Sequence, residues 1–258
     1  MPIFDSFFVD NTGFKAFDQS HLIVLGLFAG SIAAMVAAKN SSAAAKARAA
    51  HALAYLTAGT VVVWTLLRLA TGKFTPSVDM PFDICNMTAI VWLPLLTFAP
   101  KRGWGASVRQ VLFDGMLFTA FPGTIQAFFT PHLYDSFPHI TWLKFWIVHG
   151  GIIIGVLAAG ILDGMRTSRP LWRAIVHFHL FMTGSIAFSF VMSVLLDGNF
   201  TYSRYPPPTG SALDFFGPWP FYFFVSQLAA YPVFAINHYV CHAFDGSASA
   251  SKPKQKKK

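Results

Sequence analysis

Seven apolar stretches, each long enough or nearly so to cross a hydrocarbon slab of ~30 Å as a helix of about 20 residues, dominate this chain. They run from Ser20 to Ala38, Ala50 to Ala70, Pro81 to Ala99, Val108 to Thr130, Ile140 to Leu162, Leu171 to Leu196 and Pro218 to Val240. The connections between them leave no room for a separate soluble domain. The expected fold is therefore all-α: a polytopic bundle of seven transmembrane helices over residues 20–242. An outer amino-terminal segment, 1–19, precedes it, and a disordered basic cytoplasmic tail, 243–258, follows. Only 12% of the residues are charged, against about 25% in a soluble domain.

Basic residues alternate between the two sides. Lys39, Lys46 and Arg48 follow the first span, Lys101, Arg102 and Arg109 the third, Arg166, Arg169 and Arg173 the fifth, and five lysines the seventh, which places 14 of the 19 on one face. Lys and Arg close to span ends set orientation, so the amino terminus is expected outside and the carboxyl terminus in the cytoplasm. The flank of the first span carries Asp5, Asp10 and Asp18 with a single Lys15, the wrong pattern for a secretory signal. A net charge of +8 is then a retention pattern, with the lysine tail near anionic lipid, and it implies no nucleic-acid partner. Cys85 and Cys241 fall near opposite ends of the bundle, far beyond the ~6 Å between α-carbons that a disulfide allows.

Polar groups inside the bundle are few, and ionisable ones there normally face protein or a wet cavity. In "PFDICNMTAI" an aspartate, a cysteine and an asparagine sit at the mouth of the third span. Asp79 is expected to cap that helix and Pro81 to occupy its first turn, which puts Cys85 near the headgroup boundary and Asp83 and Asn86 on one face. In "FPHITWLKFWIVHGGIIIG", His149 lies beside Gly150 and Gly151, which permit close approach by another helix, a lipid chain or a cofactor. A thiol with an imidazole in reach is the minimum for nucleophilic acyl chemistry. At 1.5 Å per residue, His149 is roughly 16 Å below the start of its helix and Cys85 only ~7 Å below its own, so tilt or a broken helix has to close the gap. His177 and His179, two apart, point to opposite sides of a helix and do not suit one metal. The "FPGT" after Asp114 and the Pro232 of the last span mark helix breaks, tolerated where they line a cavity.

The loop "GNFTYSRYPPPTGSALDFFGPWPFYF" reads as a rigid outer cap, with Trp219 suited to the interface. Together with "AFDQSHLIVLG", "MPFDICNMTAIVWLPL" and "FPHITWLKFWIVHGG", it resembles the bacterial YwaF-like integral membrane proteins, relatives of transmembrane protein 164 of animals. The resemblance runs from His21 to about Tyr222. It implies a membrane acyltransferase that moves a fatty acyl chain between glycerophospholipid and lysophospholipid through a cysteine and a histidine. Those residues fall on Cys85 and His149, with no metal and no cofactor, and membrane phospholipids as partners. Asn199, Tyr202 and Asp214 fall on the loop motif without an assigned chemical role. The chain departs from the pattern at Asp83, where relatives often carry histidine, and at Tyr205, where they often carry lysine, leaving Arg204 as the substitute cation for a phosphate. Asn86 and backbone N–H groups of the first turn are the expected oxyanion donors.

The membrane implied is the cell's inner membrane for a bacterial source. For a eukaryotic one it is the endoplasmic reticulum, since Lys254 and Lys256 stand where a retrieval signal would place them. Two further classes are open to the sequence. One is a small-solute or ion transporter or channel with a polar path through Asp114, Gln126, His149 and His238. The other is a haem protein using His149 and His177. A retinal protein is excluded because the seventh span holds no lysine. Oligomeric state is not specified by any feature of the chain.

Overall fold

A computed structural model describes residues 7–207 and 212–249. The first six residues, the 208–211 part of the proline loop and the tail from 250 onward, including the lysine run expected near lipid, lie outside the described residues. The helices are α1, Gln19–Ala37; α2, Ala43–Ala70; α3, Pro76–Asp79; α4, Ile84–Phe98; α5, Trp104–Ala120; α6, Ile140–Ile161; α7, Leu171–Leu195; α8, Phe221–Ala229; and α9, Tyr231–Ser249. No strand occurs among the described residues.

Local chemistry sets the starts. The Asp18 carboxylate accepts from His21 N–H at 2.9 Å to begin α1, and Ser42 Oγ accepts from Ala45 N–H at 3.2 Å, which begins α2 seven residues before its apolar run. Four helices are long and apolar enough to cross a membrane by length and composition: Gln19–Asn40, Ala43–Ala70, Ile140–Ile161 and Leu171–Leu195. Their outward faces carry exposed Leu22, Leu27, Leu56, Leu66, Leu180 and Leu195. That continuous apolar exterior suits lipid rather than water.

The other three apolar stretches are interrupted, each at an identifiable residue. Pro94 has no N–H to donate within α4, and a π-helical turn, Thr88–Trp92, precedes it, with Leu93 N–H reaching back to Thr88 O. Pro122-Gly123 ends α5 at Ala120 rather than kinking it, and a 3-10 turn, Thr124–Phe128, follows. Pro232 accompanies the break between α8 and α9 at Ala230.

The start of the third stretch also differs from expectation. Asp79 is the last residue of α3, not a cap; its carboxylate takes Thr75 N–H at 2.7 Å and Arg68 Nη2 at 2.9 Å. Pro81 lies ahead of the helix, in the irregular segment between α3 and Ile84. A buried carboxylate keeps its charge only beside a partner, and Arg68 draws Asp79 away from the third span.

Helices α2 and α6, and α5 and α7, form the main packed pairs. A β-carbon on Gly151 would lie 2.2 Å from Thr57 Oγ1, so glycine is what lets α2 and α6 meet. At one end of the bundle Phe14 N–H bonds Tyr134 O, Asn11 N–H bonds Asp135, and His132 meets Tyr202. At the other, Lys101 and Arg109 both hold Asp163, and His238 bonds Thr167. These two polar ends bracket an apolar middle containing the stacked, fully buried pair Phe118 and Phe234, centroids 4.6 Å apart.

Candidate functional site

Cys85 belongs to the first turn of α4, because the helix begins at Ile84. Its side chain packs with Ile90 on the buried cluster of Val61, Ala89, Val148 and Ile152. Since Val148 and Ile152 flank His149 on α6, the start of α4 is level with that turn, about 12 Å along α6 from its own beginning. The depth mismatch read from the sequence disappears for this reason. Residues 80–83 form an irregular segment before α4 starts.

His149 Nδ1 is 2.7 Å from Phe145 O. A carbonyl only accepts, so Nδ1 carries the hydrogen and Nε2 keeps its lone pair. Among the described residues Nε2 has no hydrogen-bond partner, and no hydrogen bond joins His149 to Cys85. Of the two glycines beside it, Gly151 is occupied by helix α2, while Gly150 faces Phe128 and Phe28 at ordinary contact distance.

Asp83 stands at the N-cap of α4, yet its side chain does not cap that helix. Instead Asp83 Oδ1 accepts Thr201 N–H at 2.7 Å, while Ile84 N–H donates to Thr201 Oγ1 at 2.8 Å. Met87 N–H returns to Asp83 O at 2.9 Å. Cys85 N–H and Asn86 N–H remain without partners among the described residues. A helix start with two free donors beside a thiol has the form of an oxyanion site. Asn86 is buried, and its carboxamide makes no hydrogen bond among the described residues. Beside Cys85 is a small cavity of about 10 Å³ lined by Ile84, Thr88, Met116, Thr124, Ile152 and Phe181, among others. That is about the room of one water molecule and far below the 300–1,000 Å³ usual for ligand pockets.

The remaining loop residues divide into two groups. Tyr202 comes close: its hydroxyl is 2.8 Å from His132 Nδ1, and burial, with Asp83 and Cys85 nearby, pushes the phenol up to about 12, so it stays protonated. Asn199, Arg204 and Trp219 organise the loop itself. Asn199 Oδ1 accepts Arg204 N–H at 3.0 Å, Arg204 Nη1 donates to Asp197 at 2.9 Å and to Gly198 O at 3.2 Å, and Trp219 Nε1 donates to Ser203 O at 2.9 Å. Asp214 is exposed on the 3-10 turn Ala212–Phe216. The structure thus gathers Cys85, His149, Asp83, Asn86 and Tyr202, and leaves the other four in the loop.

Two contributors went unread in the sequence. Lys144, five residues into an otherwise apolar helix, places its ammonium 4.1 Å from the centroid of the buried Trp64 ring. It lies within electrostatic reach of Cys85, Asp83 and Asp79, and also of His149, and it has no ion pair among the described residues. A lone cation inside a span was the available signal. Thr201 sits unremarked between Asn199 and Tyr202 in the loop motif.

The residues of the expected polar path do not form a chain. Asp114, fully buried, accepts from Ser168 Oγ at 2.6 Å and bonds His177 Nδ1 at 2.7 Å, while His238 bonds Thr167 at 2.8 Å. They pin the loop after α6. Gln126 is exposed near the opposite end and His149 is turned to Phe145. His179 bonds Gln227 and Tyr231, apart from His177, as the two-residue spacing implied. Neither Cys85 nor Cys241 is in a disulfide.

No curated protein and no solved structure matches the chain. Residues 16–237 match the model of the TMEM164 family. That span takes in α1 through α8 and the first seven residues of α9, with Cys85, His149 and the whole loop between α7 and α8 inside it, and the chain belongs to the TMEM164 family of membrane proteins.

Proposed function

We propose that this integral membrane protein transfers a fatty acyl chain between a glycerophospholipid and a lysophospholipid through a thioester on Cys85. His149 Nε2 takes the thiol proton as sulfur bonds to the ester carbonyl carbon. The tetrahedral oxyanion is held by Cys85 N–H and Asn86 N–H. On collapse the carbon–oxygen bond to glycerol breaks, and His149 returns the proton to the departing lysophospholipid alkoxide. In the second half the acceptor hydroxyl gives its proton to His149 and attacks the thioester, freeing the thiol.

The observation that carries this reading is the state of His149: a buried carbonyl fixes its tautomer so that a bare Nε2 is left on the same turn of α6 that Cys85 packs against. Catalytic hydrogen bonds tighten when substrate binds. The cavity beside the thiol is too small for an ester as it stands, so Met116, Ile152 and Phe181, which line it, move aside to admit one, with the rest of the lipid in the bilayer.

With it goes the membrane arrangement: seven crossings, amino terminus outside and carboxyl terminus in the cytoplasm. The supporting features are the basic alternation and the sorting of successive connections to opposite polar ends. Placing Cys85 in the outer half makes outer-leaflet phospholipid the substrate.

The test uses purified protein in liposomes with labelled acyl chains, together with mass spectrometry of trapped protein. Exchange and an acyl adduct on Cys85 are expected. Exchange that persists in Cys85→Ala refutes the mechanism.

A further inference from the structure

The cap on the nucleophile's helix comes from a loop more than a hundred residues away. Thr201 makes two reciprocal bonds with the residues just ahead of Cys85: it donates its backbone N–H to Asp83 Oδ1 and accepts Ile84 N–H on its hydroxyl. Ser189 Oγ donates to Phe82 O at 2.7 Å and lies 3.0 Å from Thr201 Oγ1. Its single hydrogen being used on Phe82, Ser189 accepts the Thr201 hydroxyl hydrogen. The direction of each of these hydrogen bonds is therefore assigned.

The loop is held in an unusual conformation to make these contacts. Thr201 has φ 56° and ψ 22°, and Tyr202 has φ 53°. A β-branched residue in the left-handed region persists only where its surroundings over-determine it, and such residues cluster at functional sites. Here Phe200 N–H bonds Ser193 Oγ at 2.8 Å, Tyr202 N–H bonds Asn199 O at 3.1 Å, and the buried Tyr222 donates its hydroxyl to Tyr202 O.

We infer that Thr201 is a positioning residue for Cys85, acting through Asp83 and Ile84. By occupying Ile84 N–H it leaves the N–H groups of Cys85 and Asn86 as the free donors of the turn. By anchoring the Asp83 side chain it fixes the backbone two residues ahead of the sulfur. This rests on the acyl-transfer reading for its consequence in turnover, but its effect on the thiol can be read without lipid.

Thr201→Val keeps the branched shape and removes the hydroxyl; Thr201→Ser keeps the hydroxyl. Misplacement of a reacting group by about 1 Å costs on the order of 100-fold, so Thr201→Val is expected to lower kcat for acyl transfer about 100-fold with KM little changed. It should also slow alkylation of Cys85 by a small maleimide, and Thr201→Ser should restore both. Wild-type turnover and alkylation in Thr201→Val overturn the inference, as does failure of the serine to restore them. Should wild-type protein transfer no acyl chain, the proposed function fails, and the alkylation comparison alone decides the role of Thr201. If Thr201→Val does not fold by thermal melting, Ser189→Ala enters the same assay, and an unchanged alkylation rate there overturns it.

Discussion

His149 donates its Nδ1 hydrogen to the carbonyl oxygen of Phe145, one helical turn earlier, at 2.7 Å. A backbone group therefore does what a third side chain does in many nucleophile–base pairs: it sets the tautomer and the ring plane. Because the orienting carbonyl belongs to the helix, no side-chain substitution removes it. His149→Gln should thus lower acyl transfer by the 10²- to 10⁴-fold typical of a lost base while leaving the protein folded, as measured by release of labelled lysophospholipid and by thermal melting. Turnover within a few-fold of wild type would exclude His149 as the base.

Lys144 is the cation nearest this chemistry. A unit charge on the order of 10 Å away at an effective dielectric near 20 is worth about 1–2 kcal/mol, so Lys144→Met should slow Cys85 alkylation about tenfold at fixed pH. Lys144→Arg should keep most of the rate. Equal rates in the wild-type and Met proteins would show that the ammonium serves only its contact with Trp64.

The meeting of α2 and α6 depends on a missing side chain. Gly151→Ala puts a methyl 2.2 Å from Thr57 Oγ1, and overpacking of this kind costs about 1–3 kcal/mol. Lower thermal stability is expected, and Thr57→Ala in the same chain should recover part of it. A Gly151→Ala protein that melts like wild type would mean the two helices part without cost.

His139 caps α6 by accepting Thr141 N–H on Nδ1 at 3.2 Å, which requires the neutral ring. Burial holds its pKa below the usual 6.5, against the opposing pull of Asp135 and Asp10, with Lys73 and Arg68 adding to the depression. Below pH 6.5 the unfolded chain binds a proton that the folded one resists. The contribution to stability is therefore complete above that pH and is lost as pH falls through the folded-state value. Stability measured from pH 7.5 downward should decline, and His139→Asn, which can still cap, should flatten the decline. An unchanged slope in the asparagine variant would assign the effect to other groups.

How much of this was written in the chain can be judged residue by residue. Apolar stretches of bilayer length and breaks at Pro122 and Pro232 follow from local composition, since lipid leaves the backbone no partner but itself and proline withdraws one donor. Cys85 and His149 were visible for the same reason: a thiol and an imidazole in so apolar a setting stand out. The true start of α4 was not visible, because Asp79 is claimed by Arg68 on a different helix. Nor was Thr201, whose role exists only when residues 83 and 201 touch. Sequence by itself determined a helical membrane protein and singled out a thiol and an imidazole within its apolar stretches, because those depend on solvent and on nearest neighbours along the chain. The level of the thiol against the imidazole, the free donors beside it and the cation facing it were decided by tertiary packing, because each depends on which distant segment satisfies a polar group that its own helix leaves open.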